Sequence, residues 1–253
     1  MSTFDLSGKA AIVTGGNNGI GRGIAIGLAS AGASVCIAGR DEKKNEKVRL
    51  EIEKSGHESI SVHCDVNVEQ DIAAAIAATE DAFGGLNILV NNAGIATLNV
   101  PDQMSDEEWG SVVDTNLSSV FKFCRAAHTS LKSSSGGKII NIGSMYSIFG
   151  SPFAASYAAS KGGVVQLTKS LAVAWAVDGI QVNAILPGWI TTDMTAPIRS
   201  DMPDLYNSII ARTPAGRFGE PEDCAGTAIF LASDASNFIT GQSIPVCGGY
   251  SVS

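Results

Sequence analysis

The chain has 253 residues, 45% hydrophobic and 17% charged, which excludes a disordered polymer and gives enough material for a substantial core in one domain or two. Seventeen Lys and Arg against 25 Asp and Glu leave a net charge of −8, which argues against nucleic acid or an acidic membrane as partner. Five scattered cysteines with no C-x-x-C, and three histidines without ligand spacing, predict no disulfide framework and no metal site, and point to a reducing, cytoplasmic compartment.

The first nine residues carry Asp5 and no apolar core, so no signal peptide is expected. Residues 10–13 read as a buried strand and 20–31 as a helix stopped by Gly32. Strand 34–38 and helix 41–54 follow, with Gly56 placed for a left-handed C-terminal turn. Next come strand 60–63, helix 69–83 and strand 87–90. The stretch 105–133 reads as one long helix opened by the capping box Ser105-x-x-Glu108. Strand 138–142, helix 155–177 and strand 181–185 continue the pattern. Helix 220–232, with Pro221 in its first turn, and strand 243–246 close it. No run is long and apolar enough for a membrane span.

Strands apolar on both faces, alternating with helices, predict a parallel sheet covered on both sides. The fold class is therefore α/β, a Rossmann-like, doubly wound parallel sheet of seven strands with helices on both faces. No linker, repeat or low-complexity segment interrupts it, so residues 1–253 read as a single domain. The long connection 188–217 carries Pro197, Pro203 and Pro214 and follows a strand's carboxyl end, where α/β folds bind ligands. It reads as a substrate loop.

Between the first strand and first helix lies Thr14-Gly15-Gly16-Asn17-Asn18-Gly19-Ile20-Gly21. Gly15 permits a tight turn, Gly19 permits close approach of a pyrophosphate, and Gly21 permits close packing of helix on strand. The helix N-terminus offers free N–H groups to phosphate. The G-x-x-x-G-x-G spacing after Thr14 resembles the short-chain dehydrogenase/reductase family, and the resemblance extends over essentially the whole chain. Asp65 after the third strand, Asn91-Asn92-Ala93-Gly94 after the fourth, Asn116 in the long helix and Ser144 after the fifth strand match that family's motifs in order. Tyr157-x-x-x-Lys161, Pro187-Gly188 and Thr192 complete them. Val246-Cys247-Gly248-Gly249 departs from the family's usual V-D-G-G.

The resemblance implies an oxidoreductase with Ser144, Tyr157, Lys161 and Asn116 as catalytic residues. Tyr157 and Lys161 share one helix face, and an ammonium close by would lower the phenol's pKa. Tyr157 then exchanges a proton with a carbonyl or alcohol oxygen that Ser144 holds. Asn116 resembles the residue that positions a water in a proton relay, and Lys161 the residue that bonds the nicotinamide ribose. Cofactor contacts are implied for Gly15, Asn17, Asn18, Gly19, Ile20, Gly21, Arg40, Asp65, Val66, Asn92, Ala93, Gly94, Pro187, Gly188, Ile190 and Thr192, besides Tyr157 and Lys161.

Dinucleotide folds that use NAD carry an acid after the second strand. Gly39 stands there and Arg40 follows, a guanidinium suited to a 2′-phosphate. The reading is NADP(H), with NAD(H) left open by Asp41 one residue on. Asn18 stands where some NADP-preferring relatives carry a basic residue. Residues 141–145 and 212–217 are similar to sugar and sugar-acid dehydrogenases such as gluconate 5-dehydrogenase. Tyr146, Phe153, Trp189 and Met194 could line an apolar pocket or simply pack, and Arg199 and Arg212 could meet a carboxylate or face water. Two alternatives stand beside a small carbonyl or alcohol substrate. One is a 3-oxoacyl-thioester reductase, with Lys122, Arg125 and Lys169 available to an acidic carrier protein; the other is an NADP(H) sensor without turnover. The family resemblance also implies a homotetramer paired through the long helices and the last strand.

Overall fold

Neighbouring residues along a strand point to opposite faces, and here both faces are covered. The computed structural model describes residues 3–134 and 136–253; Met1, Ser2 and Ser135 lie outside it, and with them part of the N-terminal reading and of the 133–137 loop. The strands are β1 (Ala10–Thr14), β2 (Ser34–Gly39), β3 (Ser59–His63), β4 (Ile88–Asn91), β5 (Lys138–Ile142), β6 (Gln181–Pro187) and β7 (Ser243–Val246). They form one parallel sheet in the order β3-β2-β1-β4-β5-β6-β7. Register follows from the buried alternation: Ala11 lies between Val35 and Ile88, and Val13 between Ile37 and Val90.

The helices are α1 (Gly19–Ser30), α2 (Glu42–Lys54), α3 (Glu69–Phe83), α4 (Asp106–Val113), α5 (Ser119–Ser133), α6 (Ala155–Trp175), α7 (Ala196–Asp201), α8 (Pro203–Arg212) and α9 (Ala225–Ala232). Ile24 and Leu28 of α1, Val48 and Ile52 of α2 and Leu231 of α9 pack on one face against Ala11, Val13, Val35, Ile37 and Val90. Ile72 of α3, Phe123 and Leu131 of α5 and Val164 of α6 pack on the other face against Ile12, Cys36 and Leu89. The sheet order turns back between β1 and β4, which opens a crevice at their carboxyl ends.

Three expected elements are corrected. The helix expected over 105–133 is α4 and α5 joined by a π turn at Asp114–Ser118, where one inserted residue shifts the helical phase. The connection 188–217 contains α7 and α8, whose Pro197 and Pro203 sit in first-turn positions, where proline lacks no needed hydrogen bond. The helix expected over 220–232 begins as a 3₁₀ turn, Pro221–Cys224, before α9. Asp41 caps α2 from outside, its carboxylate accepting from the Lys44 N–H at 3.0 Å. The other ends move by one or two residues.

Candidate active site

The Thr14 hydroxyl holds the frame of the site. It donates to the Val90 carbonyl at 3.3 Å and accepts from the N–H groups of Asn92 at 3.0 Å and Ala93 at 3.1 Å. The Asn92 amide donates back to the Thr14 and Gly15 carbonyls. Two strand-end turns are thereby fixed to each other across the switch point. Gly15 and Gly19 have φ of +60° and +49°, which strains any other residue. A Cβ on Gly21 would collide with the Gly15 carbonyl and the Asn92 amide, so Gly21 is fixed by packing within the turn and does not line the crevice.

At the β2 end the space for an acid is already filled. A Cβ at Gly39 would lie 2.7 Å from Asn17 Nδ2 and 2.8 Å from Asn45 Oδ1. Asn45 is fully buried and donates to the Gly39 and Val62 carbonyls, so it has little freedom to yield. Arg40 is exposed on the crevice wall and, among the described residues, makes no hydrogen bond or ion pair. Asp41 also lines the crevice, but its carboxylate is engaged in capping α2. Lys44, one turn into α2, lines the same wall and was not anticipated. Asp65 and Val66 line the crevice beyond β3, with Asp65 Oδ1 accepting from the Asn67 N–H at 3.0 Å.

At the other end stand Ser144, Tyr157 and Lys161. Ser144 stands two residues beyond β5 and caps the following 3₁₀ turn, its hydroxyl accepting from the Tyr146 N–H at 3.1 Å. Burial pushes the Tyr157 phenol above its ordinary pKa, a hydrogen bond with Ser144 works against that rise, and Tyr146 adds to it. The lowering expected from Lys161 is not found among the causes of this shift. Lys161 lies with Nζ 5.7 Å from the Tyr157 ring centre and donates to the Ile142 carbonyl at 2.7 Å. Burial brings its pKa down to about 8. Asn116 is fully buried in the π turn, accepting from the Ile95 N–H at 2.9 Å and donating to the Ile95 carbonyl at 2.9 Å and to Ser160 Oγ at 3.2 Å. A Cβ at Gly94 would lie 3.2 Å from Asn116 Oδ1 and 3.6 Å from Lys161 Nζ, so both groups crowd one glycine. Tyr146 stands edge-on to both Tyr157 and Trp189, ring centres 6.2 Å apart in each case.

Apart from Gly21 and Asn116, every residue expected at the site lines one crevice of about 610 Å³, within the range of small-molecule sites. That set comprises Gly15, Asn17, Asn18, Gly19, Ile20, Arg40, Asp65, Val66, Asn92, Ala93, Gly94, Ser144, Tyr157, Lys161, Pro187, Gly188, Ile190 and Thr192. Lys44, Asn67, Ile95, Thr115, Asp193 and Thr195 join them without having been expected. Lys44 follows a helix-capping Asp in the sequence, a signal that could have placed it beside Arg40. Met194 lines the crevice, whereas Phe153 is exposed and bonded through its carbonyl to the Asn99 N–H. Arg212 is stacked on Tyr250, 4.2 Å from its ring centre, and donates to its hydroxyl. Cys247, in place of the family's Asp, has its backbone against Gly188 and its thiol on Ser251 Oγ at 3.4 Å.

A family model described as enoyl-(acyl carrier protein) reductase matches residues 15–251. The chain belongs to the short-chain dehydrogenase/reductase family. Among curated relatives in that family, a 2-dehydro-3-deoxy-D-gluconate 5-dehydrogenase of Formosa agariphila is 40% identical over 98% of this chain and 95% of its own. A 3-oxoacyl-[acyl-carrier-protein] reductase of Staphylococcus aureus is 42% identical over 95% of this chain and 97% of its own. The crystal structure of a gluconate 5-dehydrogenase from Burkholderia cenocepacia, in complex with NADP and tartrate, superposes with a TM-score of 0.94 at 37% identity, over 99% of this chain and 98% of that one.

Proposed function

We propose that this short-chain dehydrogenase/reductase is an NADP(H)-dependent enzyme that interconverts a ketone and a secondary alcohol on a sugar acid or similar small hydroxy acid. The observation that carries the reading is the meeting of Ser144, Tyr157 and Lys161 at one end of a crevice whose other end is walled by the glycine turn and Arg40. The cradle fits a dinucleotide: Gly15 and Gly19 leave the turn bare toward the N-terminus of α1. The filled space at Gly39 and the engaged carboxylate of Asp41 favour a 2′-phosphate on Arg40 and Lys44 over a ribose hydroxyl on an acid.

When bound, the cofactor supplies or takes the hydride. Tyr157, a phenol whose already high pKa burial raises further, gives its proton to the carbonyl oxygen during reduction. Ser144 donates a hydrogen bond to that oxygen and orients it. Lys161, held by the Ile142 carbonyl, supplies positive charge next to Tyr157 and a donor for the ribose. Asn116 clamps Ile95 and so fixes the Gly94 turn against Lys161, a positioning role on the proton-relay side. Residues 1–253 act as one catalytic unit, with 188–217 as its substrate loop.

Sugar-acid relatives and the tartrate in the gluconate 5-dehydrogenase support the substrate class. The acyl-carrier reading is supported by similarly close relatives, but it has less support from the surface: Lys122 and Arg125 both face Glu69, at 4.0 and 3.4 Å, and form no open basic patch. The sensor reading would leave the Ser144, Tyr157 and Lys161 set without a purpose. We also infer a homotetramer in the cytoplasm. Trp109 and Phe121 on α4 and α5, Val173 and Val177 at and just past the end of α6, and Phe238 ahead of β7 are apolar and exposed, in keeping with pairing through the long helices and the last strand. No helix among the described residues is long and apolar enough to cross a membrane.

The test is turnover read at the nicotinamide absorbance, in both directions and with both cofactors, over sugar acids, simple ketones and 3-oxoacyl thioesters. Turnover restricted to sugar acids with NADP(H) supports the proposal. Preference for 3-oxoacyl thioesters replaces it with the carrier-protein reading, and binding without turnover replaces it with the sensor.

A further inference from the structure

Residues 188–195 follow β6 as a strap that lines the crevice and meets the glycine turn at Thr192 and Asp193. Its inner margin is firmly tied: the Thr191 N–H donates to the Gly219 carbonyl and the Gly219 N–H to the Trp189 carbonyl, both at 2.8 Å. Its body is braced by Thr195, whose hydroxyl donates to the Ile190 carbonyl at 2.6 Å and accepts from the Thr192 N–H at 3.0 Å. The outer margin rests on the glycine turn, where a Cβ on Gly19 would lie 3.0 Å from the Thr192 methyl carbon. There the ties are different in kind. A single carboxylate oxygen of Asp193 accepts from Asn18 Nδ2 at 2.7 Å and stands 3.8 Å from Lys44 Nζ. The two partners come from the turn before α1 and from the first turn of α2. Asp193 and Lys44 side chains are 77% and 53% exposed, so these ties exchange readily with water.

We propose that Asp193 is a specificity-determining clasp: it closes the strap onto the turn before α1 and occupies Lys44, which the 2′-phosphate of an entering cofactor must take from it. The inference rests on the reading of the crevice as an NADP(H) site. A dinucleotide reaching the glycine turn passes under the strap, and the strap yields at its exposed outer margin before its doubly bonded inner one. A phosphate monoester carries about −1.5 to −2 charges at neutral pH and outbids one carboxylate for an ammonium. NADP(H) thus removes one of the two ties as it binds, whereas NAD(H) leaves both in place. Asp193 in this way couples the identity of the cofactor to the hold on the substrate loop.

The test combines a measurement on the cofactor-free protein with binding. Amide hydrogen exchange at residues 191–195 should quicken several-fold in Asp193→Ala. Asp193→Asn, which frees Lys44 but keeps an acceptor for Asn18, should bind NADPH tighter by about two- to fivefold, the size of an exposed charge pair. It should change NADH affinity less, and the gain should vanish in the Lys44→Met background. Unchanged exchange at 191–195, or equal shifts for NADPH and NADH that persist without Lys44, overturns the clasp while leaving the cofactor reading intact. A wild-type protein that binds neither dinucleotide overturns the cofactor reading, and the competition for Lys44 with it.

Discussion

At the scale of single residues, the site is set by which positions have room and which groups hold protons. Burial raises the pKa of the Tyr157 phenol further, which suits its proposed role as proton donor in reduction and means that it must lose that proton for oxidation. The ratio kcat/KM for reduction should stay level from pH 6 to 7 in steady-state assays and fall as Lys161 loses its proton near pH 8, while the oxidation rate should climb with pH from 6 to 8. Tyr157→Phe should lower turnover by about 10²- to 10⁴-fold, the usual contribution of a positioned acid, with NADPH affinity by fluorescence titration nearly unchanged. Full activity in that variant would remove Tyr157 from the mechanism. Gly39→Asp, the simple route to an NAD-type acid, should fail: the new side chain meets Asn17 and the buried Asn45. Overpacking of this kind costs about 1–3 kcal/mol, to be read by chemical denaturation, with no gain in NADH affinity. Gly39, Arg40 and Ser144 were legible because each sits at or close behind a strand end, and Tyr157 and Lys161 because their spacing of four puts both on one helix face in a family motif. Asn45 and Asp193 were not legible there, since their contacts with residues 39 and 18 depend on how separate segments meet.

At the scale of elements, the strands and the long helices were readable because burial on one stripe or on both faces leaves a period in the sequence. The π turn at Asp114–Ser118 was not, because a single inserted residue changes the phase of a helix without changing its composition. Nor were α7 and α8: Pro197 and Pro203 read as breakers when they are starters, and α8 buries only Ile209. The start of α4 was legible from its capping box, and both reciprocal bonds form, Ser105 Oγ from the Glu108 N–H at 3.1 Å and Glu108 Oε2 from the Ser105 N–H at 2.8 Å. Ser105→Ala should cost about 1 kcal/mol in urea unfolding, the typical value of a cap. A cost near zero would mean that α4 is held by its packing alone.

For the whole molecule, stability should pass through a maximum in mildly alkaline solution. Burial lowers both Lys138 and Lys161 to about 8 from 10.5. Between pH 8 and 9 the unfolded chain holds lysine protons that the folded chain has released, so stability rises with pH. Burial raises Cys36 to about 11 and Cys64, Cys124 and Cys224 to about 12 from 9.0. Above pH 9 the unfolded thiols ionise while the folded ones stay protonated, and four groups against two reverse the slope. Melting of the cofactor-free protein should therefore peak near pH 9; a steady fall from pH 7.5 upward would contradict this balance. The assembly is open to a separate measurement. Light scattering should give about four times the 26.0 kDa chain mass, and Phe238→Glu, placed on a fully exposed apolar residue, should reduce it.

The cap that begins α2 has an evolutionary consequence. The Asp41 carboxylate that could have read a ribose hydroxyl is the one that satisfies the Lys44 N–H. Any lineage drifting from phosphorylated to unphosphorylated cofactor by turning Asp41 toward the sugar would loosen the first turn of the helix that carries Lys44. Recognition and folding draw on one side chain here, so a change of coenzyme would have to be preceded by a substitute cap, and the order of those two mutations would not be free.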